Sequence, residues 1–128
     1  MINFTDAQYQ EQCEKFVEII KHSDHYYELP VSKIGCWVTT ESSSNAPDFI
    51  DSADAHIKWT FPKLFEKKYL VSMGRCYVGD GVSLNEYGST GYSWECTITL
   101  SKHNEVCGLD KSLSLAICKA ISQLMEKK

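Results

Sequence analysis

The only arginine of the chain, together with nearby aromatic residues, is the best candidate for chemistry. Arg75 lies in an apolar run, directly after Gly74 and two residues before Tyr77. A guanidinium group binds a phosphate through two parallel hydrogen bonds, and an aromatic ring anchors a ligand by contact with its face. We therefore predict a binding site for a small nucleotide-like ligand. Its predicted residues are Arg75, Tyr77, Trp94, Ser43 and Asn45, the last two from a polar stretch that offers hydrogen bonds.

Arg75 also has a purely structural interpretation. An arginine on a sheet face commonly pairs with a carboxylate on the adjacent strand, and Glu95 is the candidate here. The sequence leaves both interpretations of Arg75 open.

Two histidines, His22 and His25, have the spacing of paired metal ligands. A zinc site needs three or four ligands that converge on one point, and only two acidic residues lie nearby in the sequence. A polar helix end is the better explanation of this pair. The other histidines, His56 and His103, are isolated. We therefore predict no metal site and no cofactor.

A small hydrolase would need a nucleophile and a base within hydrogen-bond reach of each other. The scattered residues that offer such groups are His103, Cys107, Asp80 and Glu86, and none lies in a recognisable catalytic motif. The run Gly79-Asp80-Gly81 lacks the lysine of a phosphate-binding loop and predicts a hairpin turn. We therefore predict that the protein is not an enzyme.

Composition argues against two classes of function. The 128 residues carry a formal net charge of −4, and Arg75 is the only arginine among 13 basic residues. Proteins that bind duplex nucleic acid usually carry a basic, arginine-rich surface. No stretch approaches the roughly 20 apolar residues of a membrane span, and we detect no signal peptide. We predict one domain, residues 1–128, in the cytoplasm, with its six cysteines reduced and mostly buried.

The two terminal helices are the clearest predicted elements. Thr5 and Gln8 have the spacing of a capping box, and an apolar stripe runs from Tyr9 to Ile20. The polar residues of this helix, which we expect to face water, are Gln10, Glu11, Glu14, Lys15 and Glu18. The last helix begins after Ser112. Its expected buried stripe is Leu113, Ile117, Ala120, Ile121 and Leu124.

The middle of the chain is harder to interpret. Residues 34–40 predict a strand, and residues 41–48 predict a polar loop. Residues 49–68 match both helical and strand spacing. We favour a helix that is capped by Asp51 or Ser52 and is broken or kinked at Pro62, which cannot continue an ideal helix.

Strands dominate the region before the last helix. Residues 69–78 predict a strand with Gly74 as a weak spot or bulge. In residues 92–100, Trp94, Cys96 and Ile98 alternate with polar residues, which indicates a sheet with one wetter face. Residues 105–107 predict a short edge strand at best. The order of elements predicts an α+β fold with an antiparallel sheet of about four strands and three helices: N-terminal, middle and C-terminal.

The C-terminal strand and helix resemble a known family. The segments Trp94 to Ile98 and Leu115 to Ala120 are similar to the close of small bacteriophage proteins of the phage ABA-sandwich group. The segment Pro47 to Trp59 loosely resembles their second helix. The chain departs from the pattern at Lys119, where arginine is common, and at Pro62. The resemblance implies an α-β-α layered sandwich and a phage or prophage origin, and it transfers no catalytic residue.

These observations favour a phage-encoded, non-catalytic binding protein in the cytoplasm of the host cell. We expect it to counter host antiviral defence by sequestering a small nucleotide-like signal. The alternatives are a protein-binding inhibitor of a host defence factor, a structural or assembly accessory protein and, last, a small hydrolase. The expected partners are the ligand or a host defence protein, without duplex nucleic acid or membrane. Formation of a homo-oligomer is left open.

Overall fold

The chain is an α+β protein, as predicted. A computed structural model describes residues 4–17, 25–28, 35–38, 43–78 and 91–126. In chain order the elements are α1 (Asp6–Phe16), β1 (His25–Glu28), β2 (Gly35–Val38), β3 (Ser43–Asn45), α2 (Ala53–Ala55), a π-helical turn (His56–Thr60), α3 (Phe61–Glu66), β4 (Leu70–Val78), β5 (Gly91–Ser101), β6 (Asn104–Asp110) and α4 (Leu113–Glu126). The predicted hairpin turn at 79–81 and the histidine His22 lie outside these residues.

The start of α1 follows the predicted capping box. The Gln8 N–H donates to Thr5 Oγ1 at 3.2 Å, and the Thr5 N–H donates to Gln8 Oε1 at 2.8 Å. These two bonds satisfy backbone donors that a helix N-terminus otherwise leaves unpaired. Phe4, just before the cap, packs edge-on against Tyr9, with ring centroids 5.4 Å apart.

One prediction for α1 is wrong, because Gln10 and Glu14 are fully buried instead of facing water. Gln10 Nε2 donates to Glu14 Oε1 at 2.8 Å and also to the Pro47 carbonyl. Gln10 Oε1 accepts from the Phe49 N–H at 2.9 Å. The segment 46–50 therefore lies over the polar side of α1 and replaces the hydrogen bonds that water would supply.

The middle helix is continuous through Pro62 instead of breaking there. Ser52 caps it, as one of the two predicted caps, because its hydroxyl accepts from the Ala55 N–H. The π-helical turn precedes Pro62, and the Phe61 N–H donates to the His56 carbonyl five residues back. Proline lacks an N–H and its ring crowds the preceding turn, so one wider turn lets the helix continue.

The main sheet is antiparallel, with strand order β4–β5–β6. Its first two strands confirm the predictions for residues 69–78 and 92–100. Gly74 pairs regularly with Glu95, so the predicted weak spot is not a bulge. The irregularity lies instead between Thr99 and Ser101, where β5 meets β6.

Strand β6 has seven residues and is longer than the predicted edge strand. Gly108 explains the difference, because it allows close packing and does not end the strand. A Cβ atom at Gly108 would lie 2.1 Å from the Ala116 carbonyl oxygen and 2.6 Å from the Ala120 nitrogen of α4. The outer edge of β6 bonds to the same helix: the Cys107 N–H donates to Gln123 Oε1 at 3.4 Å, and Gln123 Nε2 donates back to the Cys107 carbonyl.

One face of this sheet forms the core. Cys96 and Ile98 are fully buried beneath α4, which confirms the predicted alternation, and α1 packs against α4. Four members of the predicted stripe of α4 are buried: Ile117, Ala120, Ile121 and Leu124. On the opposite sheet face, which we call the open face, Leu70 is 70% exposed and Glu95 and Glu105 are exposed, whereas Ser93 is buried.

A second, smaller antiparallel sheet has the strand order β1–β2–β3. Its middle strand lies within the predicted strand 34–40. Its last strand, Ser43–Asn45, falls inside the stretch that we predicted to be a loop. Each sheet thus has three strands among the described residues, and the four-stranded α-β-α sandwich stays a prediction. In the same residues, no helix is long and apolar enough to cross a membrane.

Candidate functional site

A buried cluster of one imidazole and two thiols lies where α1, the π-helical turn and α4 meet. Cys13, His56 and Cys118 have no exposed surface. The Cys13 and Cys118 Sγ atoms are 3.6 Å apart, and Cys118 Sγ lies 3.5 Å from His56 Nε2. All three potential ligand atoms lie within 4.8 Å of one another.

Ordinary packing rules place each member of this cluster. Cys13 lies one turn after Tyr9 on the apolar stripe of α1, and Cys118 follows Ile117 on the buried side of α4. His56 begins the π-helical turn, and its ring packs 5.2 Å from the Phe49 ring, measured between centroids. π-Helical turns often occur at functional sites, since they reorient one side chain within a helix.

The Phe49 carbonyl organises the hydrogen bonds of the cluster. It accepts from His56 Nε2 at 2.8 Å and from the Cys118 thiol at 3.1 Å. Because a carbonyl oxygen only accepts, this network assigns the ring proton to Nε2. His56 Nδ1 then accepts from the Thr60 hydroxyl at 3.0 Å. The Cys13 thiol completes the chain by donating to Cys118 Sγ.

Burial keeps the Cys118 thiol protonated. Burial raises the pKa of the Cys118 thiol well above its usual value, and the neighbouring Cys13 raises it further. His56 acts in the opposite direction, with a smaller effect. A neutral thiol is a poor nucleophile, so in this state Cys118 is unsuited to covalent catalysis. One imidazole nitrogen and two sulfur atoms are, however, a ligand set that soft metal ions prefer.

The structure brings together two of the five predicted binding residues. Arg75 and Trp94 are directly opposite each other on β4 and β5, and the guanidinium carbon lies 5.5 Å from the indole centroid. Arg75 is exposed and Trp94 is partly buried. Trp94 also pairs with Asp110 on β6, so the three residues form one row across the sheet. We call Arg75, Trp94 and Asp110 the cross-strand row.

The other predicted binding residues occupy different positions. Tyr77 lies two residues beyond Arg75 on β4, where it pairs with Tyr92. Ser43 and Asn45 belong to β3 of the smaller sheet, where they pair with β2. The ladder registers therefore place Tyr77 beside the cross-strand row, and they place the two polar residues in a different sheet.

The salt bridge that we considered between Arg75 and Glu95 does not match the register. Glu95 pairs with Gly74, so it lies on the opposite face of the sheet from Arg75. The carboxylate within the cross-strand row is that of Asp110, and Lys119 Nζ lies 2.7 Å from its Oδ2 atom.

The two described residues of the hydrolase hypothesis lie apart. His103 is exposed in the turn between β5 and β6, and Cys107 is in β6 four residues later. Four residues of strand span about 13 Å, which is beyond hydrogen-bond reach. The other two candidates, Asp80 and Glu86, lie outside the described residues.

Sequence reasoning missed the buried cluster. His56 was classed as isolated, and the cysteines were expected only to fill the core. A signal did exist: Cys13 lies on the predicted apolar stripe of α1, Cys118 lies next to Ile117 of the predicted stripe of α4, and a buried histidine needs polar partners. Which three segments meet, however, depends on the tertiary packing.

No protein-family profile, curated protein or solved structure matches the chain. Its function is therefore inferred from its own residues and their contacts.

Proposed function

We propose that this chain is a non-catalytic protein that binds a small nucleotide-like anion at Arg75 and Trp94. The observation that carries the proposal is the exposed guanidinium group held over the indole ring, 5.5 Å from its centroid. Contact with an aromatic face restrains the guanidinium plane before a ligand arrives, which reduces the entropy lost on binding. The planar group offers five N–H donors, and a bidentate phosphate contact uses two of them.

The charges around the cross-strand row are compatible with an anionic ligand. Asp110 would repel a phosphate, but its carboxylate forms an ion pair with Lys119 at 2.7 Å. Counted together with Lys119, the row carries two formal positive charges and one negative charge. We propose three further ligand contacts: Tyr77, which lies two residues beyond Arg75 on β4, and Ser43 and Asn45 in the smaller sheet.

The biological setting of the proposal comes from the resemblance to phage proteins. A phage-encoded binding protein without catalytic residues would counter host antiviral defence by sequestering a nucleotide signal in the host cytoplasm. The α-β-α sandwich of that group would require a further layer against the open face of the main sheet, where Glu95 and Glu105 lie. We keep this layer and a fourth strand as part of the proposal.

Isothermal titration calorimetry with cyclic mono- and dinucleotides tests the proposed site. Arg75→Ala should weaken binding about 10- to 150-fold, since hydrogen bonds to charged groups contribute about 1.5–3 kcal/mol. Arg75→Lys should restore only part of the affinity, because an ammonium group cannot form the bidentate contact.

A matched control exists in the same protein. Lys58 Nζ lies 5.5 Å from the centroid of the Trp59 ring, the same distance as in the Arg75–Trp94 pair. Lys58→Ala should therefore remove a cation–π contact without changing nucleotide affinity. Equal affinity in Arg75→Ala and the unaltered protein would exclude Arg75 from the site.

A second candidate function, inhibition of a host defence protein, is favoured by exposed apolar side chains. Ile57 and Phe65 are each 57% exposed, Leu70 is 70% exposed and Met73 is 43% exposed. Large exposed apolar patches mark protein-binding surfaces, and Ile57 and Phe65 both lie on the middle helix. Plaque assays on a defence-active host that expresses each variant separate the two functions. If only Arg75→Ala fails to protect the phage, ligand sequestration is supported. If only Leu70→Lys fails to protect it, inhibition of a host protein is supported.

A further inference from the structure

We propose that Cys13, His56 and Cys118 form a zinc site that fastens α1 and the π-helical turn to α4. This site is independent of the proposed ligand site at Arg75. The three residues come from three separate elements, and no water-exposed residue takes part.

Two of the three ligand separations match those of a tetrahedral zinc site. Zinc–sulfur bonds of about 2.3 Å and zinc–nitrogen bonds of about 2.0–2.1 Å require an S···S separation of about 3.8 Å and an S···N separation of about 3.5 Å. The observed values are 3.6 Å between the two sulfur atoms and 3.5 Å between Cys118 Sγ and His56 Nε2. The Cys13 and His56 ligand atoms lie within 4.8 Å of each other, so these two side chains must approach to about 3.5 Å when the ion binds.

The surroundings of His56 suit a metal ligand. Metal-bound histidines usually hold the second ring nitrogen in a hydrogen bond that fixes the ring and its tautomer. Thr60 supplies this bond to Nδ1 at 3.0 Å. Because a hydroxyl both donates and accepts, Thr60 serves the metal-free tautomer, with the proton on Nε2, and the metal-bound tautomer, with the proton on Nδ1.

Charge favours a divalent ion such as zinc over a monovalent soft ion. A divalent zinc ion with two thiolates and a neutral imidazole has no net charge, so complete burial carries little electrostatic penalty. Copper(I) with the same ligands would leave one buried negative charge. Binding of zinc releases the two thiol protons to solvent, while the imidazole proton moves from Nε2 to Nδ1.

A backbone carbonyl oxygen is the fourth ligand of the proposed zinc ion. The Phe49 carbonyl oxygen lies 2.8 Å from His56 Nε2 and 3.1 Å from Cys118 Sγ, and it is the nearest further oxygen that the network offers. Once Nε2 has lost its proton, this oxygen loses its imidazole donor and is available to the metal. Since every ligand is buried, we expect zinc to enter during folding.

The test is refolding of the reduced protein from guanidinium with zinc or with a chelator, followed by gel filtration and elemental analysis. We expect about one zinc ion per chain and a higher melting temperature in the zinc sample. Refolding with cobalt(II) should produce a sulfur-to-cobalt charge-transfer absorption band. Ions bound elsewhere, for example at His22 and His25, would lack that band because they have no thiolate ligand.

Matched cysteine variants identify the ligands. Cys118→Ala should lose the band, whereas Cys96→Ala should keep it, because Cys96 is equally buried but belongs to the sheet. The proposal is overturned if the unaltered protein refolded with cobalt(II) shows no such band, or if Cys118→Ala retains it. The first result does not depend on any variant and so stands even if Cys118→Ala fails to fold.

Discussion

The buried Cys–His cluster and the cross-strand row show two ways in which a small protein assembles polar groups. The row brings together residues from adjacent strands, and its contacts follow directly from the strand register. The cluster joins helices whose cysteines are 105 residues apart in sequence. In the row, the arginine is exposed. In the cluster, all three side chains are buried, so protein groups supply their hydrogen bonds.

The two regions are suited to different tasks. An exposed charged group contributes little to stability but is available to a ligand. A buried polar group contributes to stability only while its partners are in place, and a metal ion can replace the protons that link those partners. We therefore expect substitutions near the cluster to change folding and substitutions in the row to change affinity.

The largest expected effect compares the covered and open faces of the main sheet. Ile98→Ala should lower the free energy of unfolding by about 2–5 kcal/mol, because Ile98 is fully buried beneath α4. Leu70→Ala, at a residue that is 70% exposed, should lower it by less than about 0.5 kcal/mol. Urea denaturation of both variants measures these values. Equal losses would contradict the assignment of the two faces.

A smaller effect tests the close approach of α4 to β6. Gly108→Ala should destabilise the fold by about 1–3 kcal/mol, since its Cβ atom would collide with the helix backbone. Gly74→Ala is the control, because its Cβ atom would meet no atom within 4 Å. It should stabilise the strand by about 0.5–1 kcal/mol. Thermal denaturation of both variants measures these changes in stability. Unchanged stability in Gly108→Ala would show that α4 lies farther from the sheet.

A further effect appears only at alkaline pH. Burial raises the pKa of Cys96 to about 12, and Cys107, Cys118 and Glu95 add to the shift. The folded state therefore holds the thiol proton more tightly than the unfolded state does. Stability from Cys96 is complete below about pH 9 and falls by up to about 1.4 kcal/mol per pH unit as the pH rises toward 12.

Cys96→Ala provides the comparison for this pH dependence. Denaturation curves between pH 8 and about pH 11 should show a shallower loss of stability in the variant than in the unaltered protein. Identical slopes would show that Cys96 is already accessible to solvent in the folded protein.

The sequence by itself determined most of the local structure. Three features were predictable: the capping box at Thr5, the strand alternation around Cys96 and Ile98, and the apolar stripe of α4. Helix and strand periods depend on residues that are close together in the sequence, so they can be recognised without the tertiary structure. The predicted closeness of Arg75 and Trp94 belongs to the same category, since both lie in strands that pair as adjacent neighbours in an antiparallel sheet.

Which polar residues are buried together depends on the tertiary packing. Gln10 and Glu14 looked solvent-facing from their helical period, but both are buried, and Gln10 forms hydrogen bonds to Glu14 and to the segment 46–50. The strand predicted at residues 105–107 extends to Asp110, and α4 packs closely against it at Gly108. His56 meets Cys13 and Cys118 only because three distant segments share one core. Local periodicity cannot encode such contacts, since they depend on the positions of whole elements and not on neighbours in the chain.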